Sequence, residues 1–190
     1  DPVMRLGRRL SGQLLVVFLL GVGLALGQPP VSLWPLALLS LLAVFWLETH
    51  QSLNSSLRQA FGRGWSLGMG YFTVSMHWIV EPFLVDSAAH GWMAPFALLL
   101  FAGGLSVFWG CAFALALPLQ TPFGLAFALG FFEFSRGYML TGFPWGSLGY
   151  IWADTPVAQS AAWIGLYGLS VITVFWAACV NWLFLRKQIF

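Results

Sequence analysis

Residues Trp92–Leu117 read WMAPFALLLFAGGLSVFWGCAFALAL. The stretch contains no Asp, Glu, Lys or Arg and is longer than the ~20 apolar residues a helix needs to cross the hydrocarbon of a bilayer. Its apolar residues are continuous, whereas a membrane barrel strand alternates between lipid-facing and lumen-facing positions. No water reaches that depth, so the backbone groups must bond within the segment, which requires a helix.

Working outward, apolar runs alternate with short polar breaks along the whole chain. The expected spans are residues 10–27, 31–47, 61–80, 92–117, 122–138 and 157–185, in one transmembrane domain covering 1–190. The fold class is therefore all-α: a polytopic membrane protein of about six helices, with an irregular loop on the outer face near residues 135–155. Composition agrees. Of 190 residues, 59% are hydrophobic and only 7% charged, and the mean hydropathy is +0.84. A soluble domain averages about 25% charged, so a water-covered surface is excluded. The net charge of +2 provides no basic patch for nucleic acid. Cys111 and Cys179 sit in apolar runs and read as small packing residues.

Charge sets the orientation. With the N-terminus in the cytoplasm, the inner segments hold Arg5, Arg8, Arg9, Arg58, Arg63, Arg186 and Lys187, and the outer segments hold only Arg136. That is the positive-inside pattern with both ends of the segment cytoplasmic. Arg5, Arg8 and Arg9 before an apolar run that ends in small residues also have the layout of a signal peptide, but the run is longer than usual and more spans follow.

The stretch from Glu133 to Tyr150, EFSRGYMLTGFPWGSLGY, is the most informative for function. Gly137, Gly142, Gly146, Gly149 and Pro144 oppose a regular helix, yet the stretch stays apolar and aromatic. Irregular backbone near membrane depth must be buried in protein or line a cavity. Glu133 and Arg136 are spaced to meet on one helical face. Either they form an ion pair that pins the loop, or Arg136 holds a lipid phosphate through a charge-assisted fork. His77 and Glu81, and again Asp86 and His90, pair an imidazole with a carboxylate. They read as polar caps or the lining of a headgroup cavity more readily than as a metal site, because no three-ligand motif is present. Recurrent small residues, Gly23/Gly27, Gly64/Gly68 and Ser106/Gly110, indicate close helix packing.

No Ser/His/Asp set, phosphate loop or midplane ionisable cluster appears, and neither Cys has a nearby base to activate it. No catalytic residue, metal site or cofactor is expected in this chain. A small transporter or channel, or a membrane assembly module, are the alternative classes.

The run Glu133-Phe134-Ser135-Arg136-Gly137, then Leu140-Thr141-Gly142-Phe143-Pro144-Trp145, then Leu148-Gly149-Tyr150, resembles the bacterial apolipoprotein N-acyltransferase family. Leu33-Trp34-Pro35-Leu36, Gly70-Tyr71-Phe72 with His77-Trp78-Ile79, and Gly165-Leu166-Tyr167-Gly168 fall in matching order, although Asn is common in the family where His77 stands. The resemblance implies a bacterial inner-membrane protein. It also implies an acyl chain passed from a phospholipid donor to the N-terminal diacylglyceryl-cysteine of a lipoprotein acceptor. In that family a Glu-Lys-Cys triad in a periplasmic nitrilase-like domain does the chemistry, and none of those residues is matched here. The expectation is a segment cut at both ends, inactive alone, that positions lipid. The residues expected to bind lipid are His77, Trp78, Glu133, Arg136, Thr141, Phe143, Pro144, Trp145 and Tyr150.

Overall fold

A computed structural model describes residues 2–51, 55–139 and 142–187, with side chains from 11 to 186 within those ranges. All regular structure among the described residues is helical. Helices α1 (Pro2–Ala25) and α2 (Trp34–Gln51) form a hairpin. Its turn is closed by bonds from Leu33 N to Leu26 O and from Ser32 N to Gln28 O, both 2.9 Å, and carries a cis Pro29-Pro30 bond. Helix α3 (Leu57–Ser75) opens on a capping box: Ser56 Oγ accepts from Gln59 N, and Gln59 Oε1 accepts from Ser56 N. These bonds satisfy backbone donors that a helix start leaves without partners. Two single turns follow, α4 (Glu81–Leu84) and α5 (Ser87–His90). Then come α6 (Ala94–Ala116), α7 (Pro122–Tyr138) and α8 (Ala161–Lys187). Thr121 caps α7, its hydroxyl accepting from Gly124 N at 3.0 Å, and Pro122 fits the first turn because its missing N–H has no helical partner to lose.

Helix α3 is the centre of the bundle, with α1 on one side and α6 on the other. A Cβ on Gly70 would lie 2.0 Å from Phe18 O, one on Gly21 would lie 2.1 Å from Leu67 O, and one on Gly64 would lie 2.3 Å from Trp109 O. The helices therefore touch backbone to backbone, as small residues allow when apolar surroundings supply no drive for side chains to cluster. Leu24, Phe45, Leu67, Tyr71, Phe72, Trp109, Phe113 and Leu129 fill the interior. The outside is apolar too: Leu15, Leu19, Leu39, Leu100, Phe127, Ile172 and Phe184 are each more than half exposed. At the end of the bundle away from the α1–α2 turn, Arg63 makes a two-pronged pair with Glu48 (2.5 and 2.9 Å) and donates to Ser55 Oγ, tying α3 to α2.

Among the described residues, two stretches are long and apolar enough to cross a membrane, Ser87–Leu119 and Pro156–Arg186, and Ser11–Ala25 is a shorter apolar helix. Several boundaries differ from the sequence expectation. Helix α3 begins four residues earlier than residue 61 because the capping box starts it, and it ends at Ser75. His77–Val80 is a separate 3-10 turn, so His77 and Glu81 do not share a helical face, and Pro82 lies in the first turn of α4. The irregular loop starts at Met139, not 135, because α7 runs through Tyr138. Gly137 is helical. Its missing Cβ makes room for Tyr167, whose hydroxyl would lie 1.8 Å from that atom. Cys111 is half-buried and Cys179 exposed on the apolar surface, so only the first packs inside the bundle.

Candidate functional site

Three connections meet at one end of the bundle: the α1–α2 turn, the segment after α3, and the α7–α8 loop. They enclose an open groove of about 440 Å³ lined by Gln28, Pro29, Pro30, Ser75, Met76, His77, Trp78, Trp145, Gly146 and Tyr150. Four residues singled out from sequence, His77, Trp78, Trp145 and Tyr150, are thus brought to one surface. Trp78 and Trp145 remain 44% and 53% exposed, with their rings edge to face at 6.5 Å. His77 Nδ1 lies 2.8 Å from Val74 O. A carbonyl can only accept, so Nδ1 carries the proton there.

The loop holds its shape because of what lies beneath it. Gly142 and Gly146 have φ of +73° and +68°, a left-handed conformation that glycine adopts without strain. A side chain on Gly146 would also meet Met76 Cε at 2.7 Å. Behind the loop sit Glu133 and Arg136, both 1% exposed and paired at 3.3 Å. Arg136 Nη1 donates to the carbonyls of Phe143 and Trp145, each at 2.8 Å, and Nη2 reaches Ser147 Oγ at 3.4 Å. Glu133 accepts from Trp109 Nε1 at 2.9 Å and from Leu148 N at 3.2 Å. The Arg136 guanidinium lies 5.2 Å from the centre of the Phe72 ring, a favourable cation–π approach.

This arrangement separates the nine expected lipid-binding residues into groups. His77, Trp78, Trp145 and Tyr150 line the groove. Glu133 and Arg136 bond the loop, each other and Trp109 of α6, and neither presents its charge at the surface; of the two sequence readings for this pair, the geometry matches the pin. Phe143 is half-buried, its ring edge-on to Phe101 at 4.9 Å. Pro144 contributes a carbonyl that accepts from Ser147 Oγ at 2.7 Å. Thr141 lies outside the described residues. Gln28, Tyr71, Trp109 and Ser147 also belong to the site, although no local pattern gives any of them a role there. Trp109 lies inside the run that identified the membrane class; the only hint was that a buried indole N–H needs an acceptor. Among the described residues no three His, Cys, Asp or Glu side chains converge as a metal set. The groove offers aromatic faces, an imidazole and apolar walls.

Comparisons with known proteins agree with the family resemblance of the sequence. The family described as apolipoprotein N-acyltransferase N-terminal domain matches residues 20–179. An apolipoprotein N-acyltransferase of Caulobacter vibrioides is 42% identical over 160 residues, covering 81% of this chain and 30% of that protein. One from Rhodopseudomonas palustris is 34% identical over 167 residues, covering 84% of this chain and 31% of that protein. One from Sinorhizobium medicae is 31% identical over 188 residues, covering 88% and 35%. The chain therefore spans about a third of the length of the curated relatives it matches.

Proposed function

The chain belongs to the apolipoprotein N-acyltransferase N-terminal domain family, and on that footing we propose that it is the membrane domain that holds lipid substrates for acyl transfer. In this reading the long helices make six crossings, with the N-terminus and the end of α8 on the cytoplasmic side. The basic residues support this orientation: Arg5, Arg8, Arg9, Arg58, Arg63, Arg186 and Lys187 then lie inside. The belt of exposed leucines and phenylalanines faces lipid.

The groove then opens at the outer surface of the bilayer. The acyl donor is a phospholipid and the acceptor a diacylglyceryl lipoprotein, and the reacting nucleophile comes from a nitrilase-like domain. Trp78, Trp145, Tyr150 and His77 contact the glycerol and headgroup region, where tryptophan and tyrosine are favoured. Glu133 and Arg136 act indirectly, by fixing the carbonyls that aim Trp145. Holding lipid beside a thiol in this way can contribute several kcal/mol by proximity. The observation that carries the reading is the meeting of His77, Trp78, Trp145 and Tyr150 around one open groove.

The test is acyl transfer by the full-length protein carrying Trp78→Ala and Trp145→Ala together. The expected result is slower formation of the acyl-enzyme with unchanged folding. An unchanged rate would refute a lipid-holding groove.

A further inference from the structure

Gln28 has no part in any motif, yet it sits where the three walls of the groove meet. It is 8% exposed and lines the groove. A carboxamide nitrogen has two protons to give. Here one goes to the hydroxyl of Tyr71 on α3 and the other, at 3.0 Å, to the carbonyl of Ser147 in the α7–α8 loop. Tyr71 stacks on Trp109 with ring centres 4.8 Å apart. Trp109 bonds Glu133, Glu133 pairs with Arg136, and Arg136 reaches Ser147 Oγ. The contacts close into a circuit of six residues, Gln28–Tyr71–Trp109–Glu133–Arg136–Ser147, completed through the backbone carbonyl of Ser147, and Gln28 is its member on the groove wall. A second tie joins the same turn to the same loop, from Ser32 Oγ to Asp154.

We propose that Gln28 is a positioning residue: it sets the distance between the α3 wall, which leads into the turn carrying Trp78, and the loop wall, which carries Trp145, and so fixes the width of the lipid groove. The proposal rests on the groove being a lipid site. Its chemistry is specific. Both partners of the nitrogen are oxygens, so the side chain must donate twice. A carboxylate in its place would repel the Ser147 carbonyl, and an apolar side chain of the same length would keep the packing but drop both ties.

The experiment uses the full 190-residue chain in vesicles of phosphatidylethanolamine and phosphatidylglycerol containing a phosphatidylethanolamine with a diazirine near the carboxyl end of one acyl chain. After irradiation, mass spectrometry gives the labelling of His77, Trp78, Trp145 and Tyr150 relative to Trp163, which is 91% exposed and outside the groove. Wild type is expected to concentrate label in the groove. Gln28→Met is expected to lower the groove-to-Trp163 ratio about fivefold or more, as for loss of at least one net hydrogen bond, without changing the melting temperature enough to indicate unfolding. Tyr71→Phe removes one of the two ties and keeps the stacked ring; it is expected to lower the ratio less, and the double variant no more than Gln28→Met alone. If Gln28→Met does not fold, Tyr71→Phe decides, and an unchanged ratio there overturns the proposal. Wild-type labelling in the groove with both variants unchanged, or additive losses in the double variant, overturns the positioning role alone. Wild type without groove labelling overturns the lipid site as well.

Discussion

Arg136→Met is the substitution most diagnostic of how the loop is held. The methionine keeps an unbranched apolar stem in place of the buried arginine but lacks the guanidinium, so every donor is lost. Two carbonyls, of Phe143 and Trp145, lose bonds of 2.8 Å, and Ser147 Oγ loses a weaker one. Glu133 stays 1% exposed with only Trp109 Nε1 and Leu148 N to stabilise it. Removing one partner of a buried pair costs about 3–5 kcal/mol, because the charge left behind is uncompensated. Glu133→Leu leaves the opposite charge and a similar cost. The double variant removes both charges together. What remains is four backbone or indole groups without partners, at about 1 kcal/mol each: the carbonyls of Phe143 and Trp145, Leu148 N and Trp109 Nε1. The double variant should therefore be destabilised by about 4 kcal/mol, no more than either single. The assay is unfolding of the purified chain in mixed micelles, followed by circular dichroism as denaturing detergent is added. A loss below about 1 kcal/mol for Arg136→Met, or a double equal to the sum of the singles, would refute the account of a charge pair clamping the loop.

Further outcomes can be checked on the same preparation. Gly70→Ala places a Cβ 2.0 Å from Phe18 O, so α1 must move off α3, at about 3 kcal/mol for overpacking. Gly165→Ala meets nothing within 4 Å, and its cost, about 1–3 kcal/mol, comes only from a backbone at φ 69°, ψ 174°; equal losses from crowding at both sites would contradict this distinction. Glu48→Gln removes the charge that compensates the 4%-exposed Arg63 and should cost about 3 kcal/mol; a neutral result would mean that the pair is not formed. Val85, 90% exposed, should react as Cys with a membrane-impermeant maleimide from outside intact cells once Cys111 and Cys179 are replaced by Ala. Labelling only after permeabilisation would reverse the proposed orientation.

The parts of the site that could be read from sequence are those with a local signature. Glu133 and Arg136 are three residues apart, and a helix brings such neighbours together whatever surrounds it. The glycines at 142 and 146 announced a loop. Gly137 misled because a glycine inside a helix looks the same in sequence whether it breaks the helix or admits a neighbouring side chain; only the position of Tyr167 distinguishes the two. His77 and Glu81 misled for a related reason, since their spacing means a shared face only if the helix continues, and it stops at Ser75.

From its sequence alone the chain is a set of apolar helices with an aromatic, glycine-rich loop. Those conclusions follow from composition and short-range period, and a bilayer allows few other solutions for so apolar a backbone. Which way Arg136 points, and that Gln28, Tyr71 and Trp109 belong to the same network, were decided only by tertiary structure. Gln28 is 119 residues from Ser147 and 43 from Tyr71, and Trp109 is 24 from Glu133. Contacts at such separations leave no periodic trace, because helix packing rather than chain proximity selects the partner of each buried donor.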